Sequence, residues 1–204
     1  MDLITAIRSR RSTAPVTEDA PADAELREHL AVAAHSPDHA GLRPWRLISI
    51  RGTARHRLGE ALVAGFGDEP GTPAAAKTAS RPLRAPLLVA IVCAPVEHPK
   101  VPPWEQLAAT AAMVSTLELV LFNAGWTAMW RSGPAVELPE VRHLLGLAEH
   151  EQLLGWLYIG GSAAPSADVS DSDTAAGPAV GNRPDPAVGE KLSELSGTTD
   201  TVSQ

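Results

Sequence analysis

The 204-residue sequence is poor in cysteine, with Cys93 alone. One cysteine excludes an internal disulfide and a metal site built from several thiolates. Cys93 lies inside the apolar run 87–93. In such a run a buried, unreactive thiol is expected rather than a nucleophile.

Basic residues are also scarce, with 17 Lys and Arg against 24 Asp and Glu. Residues 1–160 carry 15 basic and 17 acidic side chains, so the acidic excess lies mainly after residue 160. A protein that binds nucleic-acid phosphates needs a basic face. The sequence offers none, and nucleic acid is not an expected partner.

Several common motifs are missing. The sequence contains no Gly-x-Gly-x-x-Gly, no P-loop and no Gly-x-Ser-x-Gly. A Rossmann fold, a P-loop nucleotide triphosphatase and an α/β-hydrolase therefore have no support. The first residues lack a basic segment followed by an apolar one, and the apolar stretch 107–122 is short for a membrane span and contains Glu118. We expect a cytoplasmic protein with no membrane partner.

Apolar spacing predicts alternating helices and strands without a regular βαβ rhythm, which favours an α+β fold. Helices are predicted after a cap at Asp2, over 23–34, from a cap at Thr53 to Phe66, over 107–123 in the core, and over 139–145. Strands are predicted at 47–51, 87–93, 126–130 and 153–159, with 87–93 central. Residues 67–78, rich in Gly, Pro and Ala, are predicted to be a mobile surface segment.

Composition changes after Gly161, since no aromatic residue follows Tyr158. We predict a folded domain over 1–161, a flexible Ala/Ser/Asp-rich linker over 162–182, and a C-terminal arm with a disordered tail over 183–204. Such a composition buries too little apolar surface to fold alone.

Three polar clusters interrupt the apolar pattern. The first is Arg10-Arg11-Ser12, where two guanidiniums and a hydroxyl in a turn can grip a phosphate. A solvated helix end, where arginine suits the helix dipole, is the alternative.

The second cluster contains His35 and His39. Two histidines four residues apart suggest a metal pair if both lie on one helix face, but Pro37 pushes Ser36 out of helical geometry. Neutral histidines that hydrogen-bond a ligand are favoured over a zinc site, and solvent-exposed loop histidines remain an alternative.

The third cluster is Trp130-Arg131-Ser132-Gly133, just past a predicted strand. Free backbone N–H groups after a strand often bind ligands, and Gly133 permits close approach. Arg131 adds a cation. The alternative is an ordinary turn with a surface arginine.

The first two clusters, Arg10-Arg11-Ser12 and then Pro37-Asp38-His39 with Pro44-Trp45 downstream, resemble the nitroreductase family signature. Four motifs resemble its small, minimal YdjA-like subgroup, namely Arg84-Ala85-Pro86, Val101-Pro102-Pro103-Trp104-Glu105-Gln106, Trp130-Arg131-Ser132-Gly133 and Gly155-Trp156-Leu157-Tyr158-Ile159-Gly160. The resemblance runs from residue 1 to about Gly161. Each motif alone is weak, but six in the right order are specific.

The resemblance implies a fold with a central mixed sheet surrounded by helices, in an intertwined homodimer with FMN in each of two interface pockets. Carried over by position, the FMN-binding residues are Arg10, Arg11, Ser12, His35, His39, Arg131, Ser132 and Gly133. Arg10 and Arg131 are expected to anchor the phosphate. The histidines are expected at the flavin from the same subunit or from the neighbouring one.

The implied activity is ping-pong electron transfer from NAD(P)H through FMN to a nitroaromatic, a quinone or a similar small acceptor. No catalytic side chain and no metal are expected, because the flavin supplies the redox chemistry. Many relatives carry a basic residue where this chain has Ala14, and the subgroup often has arginine where it has His35. The alternatives are a flavin-dependent dehydrogenase or oxidase on the same fold, and a flavin-binding protein without turnover.

Overall fold

A computed structural model describes residues 2–162 of the chain. The predicted linker beyond Ser162 and the predicted arm over 183–204 lie outside the described residues. The α-helices are α1 (Leu3–Ser9), α2 (Asp23–Ala33), α3 (Thr53–Phe66), α4 (Pro73–Ala79), α5 (Pro103–Asn123) and α6 (Pro139–Leu144). The strands are β1 (Trp45–Arg51), β2 (Leu87–Cys93), β3 (Trp126–Arg131) and β4 (Gln152–Gly161). Short 3-10 helices cover His39–Gly41, Arg81–Arg84 and Pro134–Glu137.

The strands form one sheet in the order β1, β2, β4, β3. The α+β class is confirmed, but the expected mixed sheet is wrong for the described residues, where every neighbouring pair is antiparallel. The reason lies in the strand order. β2 and β3 run in the same direction and are joined through α5, yet β4 inserts between them and pairs with both.

Alternate side chains of β2 enter two different cores. Leu87, Val89 and Ile91 pack with α5, whereas Leu88, Ala90 and Val92 pack with α3 and α6. All seven residues of β2 are buried, which confirms the predicted central strand. The sheet therefore separates two surfaces, which we call the α5 face and the α3 face.

Helix α5 begins four residues earlier than predicted, with Pro103 in its first turn. On length and composition alone it could cross a membrane, although core helices of soluble proteins meet the same criterion. Its inner side packs on the sheet, but Trp104 and Leu107 on its outer side are exposed. The predicted core helix is therefore confirmed for the inner side, which carries Met113, Val114, Leu117 and Leu121, whereas the outer side stays exposed in a single chain.

The segment after α3 also differs from the prediction. Residues 73–79 form α4 instead of a mobile segment. The side chain of Thr72 caps its first turn. Pro73 fits the first helical position, because an N–H group there would have no acceptor within the helix. The start of α3 differs as well, because Gly52 rather than the predicted Thr53 is its N-cap residue. Helix α4 leads directly into the 3-10 helix Arg81–Arg84, so its packing on α3 positions both of those arginines.

Gly59 sets the approach of α4 to α3, and replacing it with alanine tests that packing. An alanine Cβ at this position would overlap the carbonyl group of Ala79. In an open helix Gly→Ala stabilises by about 1 kcal/mol. We expect Gly59→Ala instead to destabilise by about 1–3 kcal/mol, because backbone must move.

Urea unfolding measures the change in free energy. Gly65→Ala in the same helix is the matched control, since its Cβ would meet side chains of Leu138 and Glu140 rather than backbone. A Gly59→Ala protein more stable than wild type would contradict the close packing of α3 and α4.

Candidate functional site

The Arg10-Arg11-Ser12 cluster follows α1 directly. Asp2 caps this helix as predicted, since its Oδ1 accepts a hydrogen bond from the Thr5 N–H at 3.1 Å. Arg10 then leaves the helix toward α5, where its Nη1 lies 3.6 Å from Oε1 of Glu118. The first cluster is therefore held on the α5 face of the sheet.

Glu118 is a buried carboxyl group with 8% of its surface exposed. Burial raises its pKa, and the nearby Arg10 charge opposes that rise. The ion pair is loose, because Arg10 Nη1 and Glu118 Oε1 are both buried without a hydrogen-bond partner. Arg11 Nε is also buried without a hydrogen-bond partner. Buried N–H groups without acceptors are costly, so this end of α1 suits an added anion.

The histidine segment runs along the same face. Helix α2 ends at Ala33, and the hydroxyl of Ser36 then lies 2.7 Å from that of Thr116 in α5. His39 Nδ1 lies 2.7 Å from Glu105 Oε2, near the start of α5. His35 is exposed.

This path does not put the two histidines on one helix face. Among residues 2–162, no group of three or more His, Cys, Asp or Glu side chains is arranged to hold a metal ion.

Helix α5 shows how far apart the first two clusters lie within one chain. His39 contacts Glu105, and Arg10 contacts Glu118. Thirteen residues of helix separate those two glutamates, a distance of roughly 20 Å along the axis. A single chain therefore does not bring Arg10 and His39 together.

The third cluster lies at the end of β3. Gly155 on β4 has a φ of 124° and stands so close to the carbonyl group of Arg131 that no Cβ would fit. The indole N–H of Trp130 donates to the Leu154 carbonyl at 3.0 Å. Gly133 follows the strand with a φ of 117°, where a glycine is favoured. These contacts fix where the backbone of 131–133 leaves the sheet.

The side chain of Arg131 belongs to the α3 face. Its guanidinium lies 5.3 Å from the ring centre of Tyr158 and lines a cavity of about 340 Å³. Ser132 lines the same cavity, together with Arg81 and Arg84. Arg10 and Arg131, both expected at one phosphate, thus direct their guanidiniums to opposite faces of the sheet.

Sequence reasoning did not select Arg81 and Arg84 as site residues. A signal was available, because Arg84 begins the Arg84-Ala85-Pro86 motif immediately before the buried strand β2. Arg81 had no such signal. It reaches the cavity only because α4 forms where a helix was not expected.

Comparisons with known proteins agree with this architecture. The model of the nitroreductase family matches residues 7–161. The chain is 33% identical over 165 residues to "Putative NAD(P)H nitroreductase YdjA" of Escherichia coli K12, which covers 78% of this chain and 88% of that protein.

Solved structures are similar as well. A nitroreductase-like family protein from Bacillus cereus superposes with a TM-score of 0.75 at 25% identity, over 97% of both chains. The FMN-dependent nitroreductase NfnB from Mycobacterium smegmatis, in complex with NADPH, gives a TM-score of 0.60 at 18% identity, over 79% of this chain and 90% of that one.

The buried Glu118 gives a prediction about pH. A carboxyl group whose pKa is raised on folding stabilises the fold least where it is ionised. Wild type should therefore lose stability relative to Glu118→Gln as the pH rises from about 4 to 8, by on the order of 1 kcal/mol. Urea unfolding of the two proteins across that range measures the difference.

The exposed Glu28→Gln variant in α2 is the control for loss of a surface carboxylate. If wild type gained stability relative to Glu118→Gln with rising pH, the Arg10 charge would outweigh burial, and the loose ion pair described above would be wrong.

Proposed function

Because this chain belongs to the nitroreductase family, we propose that it is an NAD(P)H-dependent oxidoreductase that binds FMN and reduces a small acceptor such as a nitroaromatic or a quinone. When bound, FMN supplies the redox chemistry, taking hydride from NAD(P)H and passing electrons to the acceptor. The protein itself binds FMN, orients the reactants against it and shields them from water. The proposed location is the cytoplasm, where both nicotinamide donors are available.

The observation that carries the cofactor assignment is the set of unsatisfied donors after α1. Arg10 Nη1 and Arg11 Nε are buried and lack acceptors, and the Ser12 hydroxyl is exposed beside them. A phosphate accepts from two guanidiniums and a hydroxyl at once. These three residues therefore fit the phosphate end of FMN, and we assign it to them.

A second copy of the chain completes the proposed site. The outer side of α5 exposes Trp104 and Leu107, and α1 beside it exposes Leu3, Ile4 and Ile7. Large apolar side chains grouped on one face favour a protein interface. A two-fold axis perpendicular to α5 would place two copies of this helix antiparallel, with the same patch of each chain in the interface. The start of one α5 then lies beside the end of the other.

This arrangement resolves the separation of roughly 20 Å between the two clusters. Across the two-fold axis, His39 at the start of one α5 approaches Arg10 near the end of the other. We therefore propose that His35 and His39 contact FMN bound to the neighbouring copy, and that the protein is a homodimer with two such sites.

The segment 131–133 is proposed to contact the flavin through its backbone. Ser132 and Gly133 follow the last ladder position of β3, which leaves their N–H groups available. The guanidinium of Arg131 has turned to the α3 face. We therefore do not assign the guanidinium of Arg131 to the phosphate, and we propose only its main chain as a contact of the cofactor.

Replacing Arg10 tests the phosphate assignment. We expect Arg10→Ala to raise the dissociation constant for FMN about tenfold or more, since a hydrogen bond to a charged group contributes about 1.5–3 kcal/mol. Fluorescence titration of the apoprotein with FMN measures this constant. Arg8→Ala, on the exposed side of the same helix, is the matched control. Equal affinity in the two variants would contradict the assignment.

A mixed dimer tests the shared site. Arg10→Ala and His39→Ala homodimers should both bind FMN weakly, because each site then lacks one partner. A heterodimer of the two variants should bind FMN tightly at one site of its two, since one site receives both intact residues. Differently tagged chains allow the heterodimer to be isolated and its FMN counted by absorbance. A heterodimer without a tight site would place both residues in the same chain's pocket.

A further inference from the structure

The contact between His39 and Glu105 joins two segments that are 66 residues apart. Nδ1 of His39 lies 2.7 Å from Oε2 of Glu105, in the first turn of α5. The two side chains are 56% and 28% exposed. Pairs of side chains with such exposure contribute little to the stability of a fold. A contribution to folding therefore does not account for this contact.

The turn that presents His39 has an unfavourable backbone that is held in place. Ala40 and Arg43 have φ values of 65° and 48°, in the left-handed region that residues with a side chain disfavour. Asp38 holds this shape, because its Oδ2 accepts from the Arg43 N–H at 2.6 Å and its carbonyl accepts from the Gly41 N–H at 3.0 Å. Backbone strain maintained in this way is common at functional sites. His39 is therefore presented by a turn of fixed shape.

Glu105 is held in place by its neighbour Gln106, a buried residue at the start of α5. The Gln106 amide nitrogen donates to the carbonyl groups of Val96 and Val101 at 2.8 and 3.1 Å. Its amide oxygen accepts from the Val96 N–H at 2.9 Å. These bonds tie the loop before α5 to the first turn of the helix. Glu105 therefore contacts His39 from a backbone that Gln106 fixes.

The contact determines which nitrogen of His39 is available to a ligand. A carboxylate only accepts hydrogen bonds, so the Nδ1 atom that faces Glu105 carries the proton. In the neutral ring Nε2 is then an acceptor. Among residues 2–162, Nε2 has no hydrogen-bond partner, and more than half of the side chain is exposed. This nitrogen can therefore accept from an N–H or O–H group of a ligand, and FMN carries both, in its ring and in its ribityl chain.

We propose that Glu105 is a positioning residue, which holds the His39 ring so that Nε2 accepts a hydrogen bond from the FMN bound to the neighbouring copy. The inference rests on the proposed function, which places His39 at that cofactor. Glu105 acts through His39 and is not assigned a contact with FMN. An acidic residue in the first turn of a helix is also favoured by the helix dipole. A dipole role would not depend on His39, so replacing Glu105 with and without the imidazole distinguishes the two.

A double-mutant cycle on FMN affinity tests this role. Glu105→Ala should raise the dissociation constant for FMN about three- to tenfold, since His39 loses the bond that orients it. Glu105→Gln should restore most of the affinity, because its amide oxygen accepts from the same Nδ1–H. In a His39→Gln background, Glu105→Ala should change the constant by less than about twofold, because no imidazole remains to be oriented. Fluorescence titration of each apoprotein with FMN measures the constants.

Two further measurements separate positioning from a structural role. NMR of protein labelled with nitrogen-15 in histidine shows which ring nitrogen carries the proton, and the His39 signal is the one absent from His39→Gln. We expect Nδ1–H in wild type and loss of that form in Glu105→Ala. Glu97→Ala, which removes an exposed carboxylate from the loop before α5, is the matched control. The urea midpoints of Glu105→Ala and Glu97→Ala should agree, whereas only Glu105→Ala should weaken FMN binding.

The outcomes for Glu105 and for FMN binding itself are distinguishable. If wild type binds FMN and Arg10→Ala weakens that binding, but Glu105→Ala matches Glu97→Ala, the proposed function stands and the role of Glu105 is refuted. An equal effect of Glu105→Ala with and without the His39 imidazole would overturn that role as well. So would a wild-type His39 that carries its proton on Nε2. A wild-type protein that binds no FMN contradicts the proposed function, and the positioning role falls with it.

Discussion

Burial of β2 on both sides is the constraint on which the rest of the structure depends. A strand with seven buried residues needs an apolar layer on each face of the sheet. Helix α5 supplies one layer, and α3 with α6 supplies the other. Each layer holds its own set of polar residues at its margin. The division of the candidate site into two regions follows directly from this two-sided core.

The two layers differ in what they leave uncovered. On the α5 face, one side of a long apolar helix has no described neighbour, and the Arg10 and histidine clusters flank it. On the α3 face, the helices close over the sheet and leave a small cavity rich in arginine. The first surface is suited to a second chain and a shared cofactor. The second is a cavity whose three arginines give it positive charge.

Much of the fold was predictable from local patterns. The continuous apolar run of β2 and the helical spacing of apolar residues in α2 are both visible within a single short segment. Both elements were therefore predicted nearly residue by residue. Helix α4 was missed because the Gly- and Pro-rich residues before it obscured the capping pair Thr72 and Pro73. The expected mixed sheet is wrong within residues 2–162 for a different reason. No local pattern reveals that β4 inserts between β2 and β3.

The candidate site shows the same limit. Ordered motifs identified Arg10, His39 and Arg131 as site residues, and those assignments stay predictions. The face to which each side chain turns depends on strand register and on the partners Glu118, Glu105 and Tyr158, which are distant in sequence. Arg81 enters the cavity only through the packing of α4 on α3. Spacing along the chain carries no information about such contacts.

The central claim is that this protein exchanges electrons between NAD(P)H and bound FMN. The visible absorbance spectrum of the purified protein, recorded before and after anaerobic addition of NAD(P)H, tests it most directly. The account predicts a flavin spectrum that bleaches on addition of the nicotinamide. A flavin that bleaches with dithionite but not with NAD(P)H would contradict the reductase activity. A colourless protein that does not bind added FMN would contradict the cofactor assignment itself.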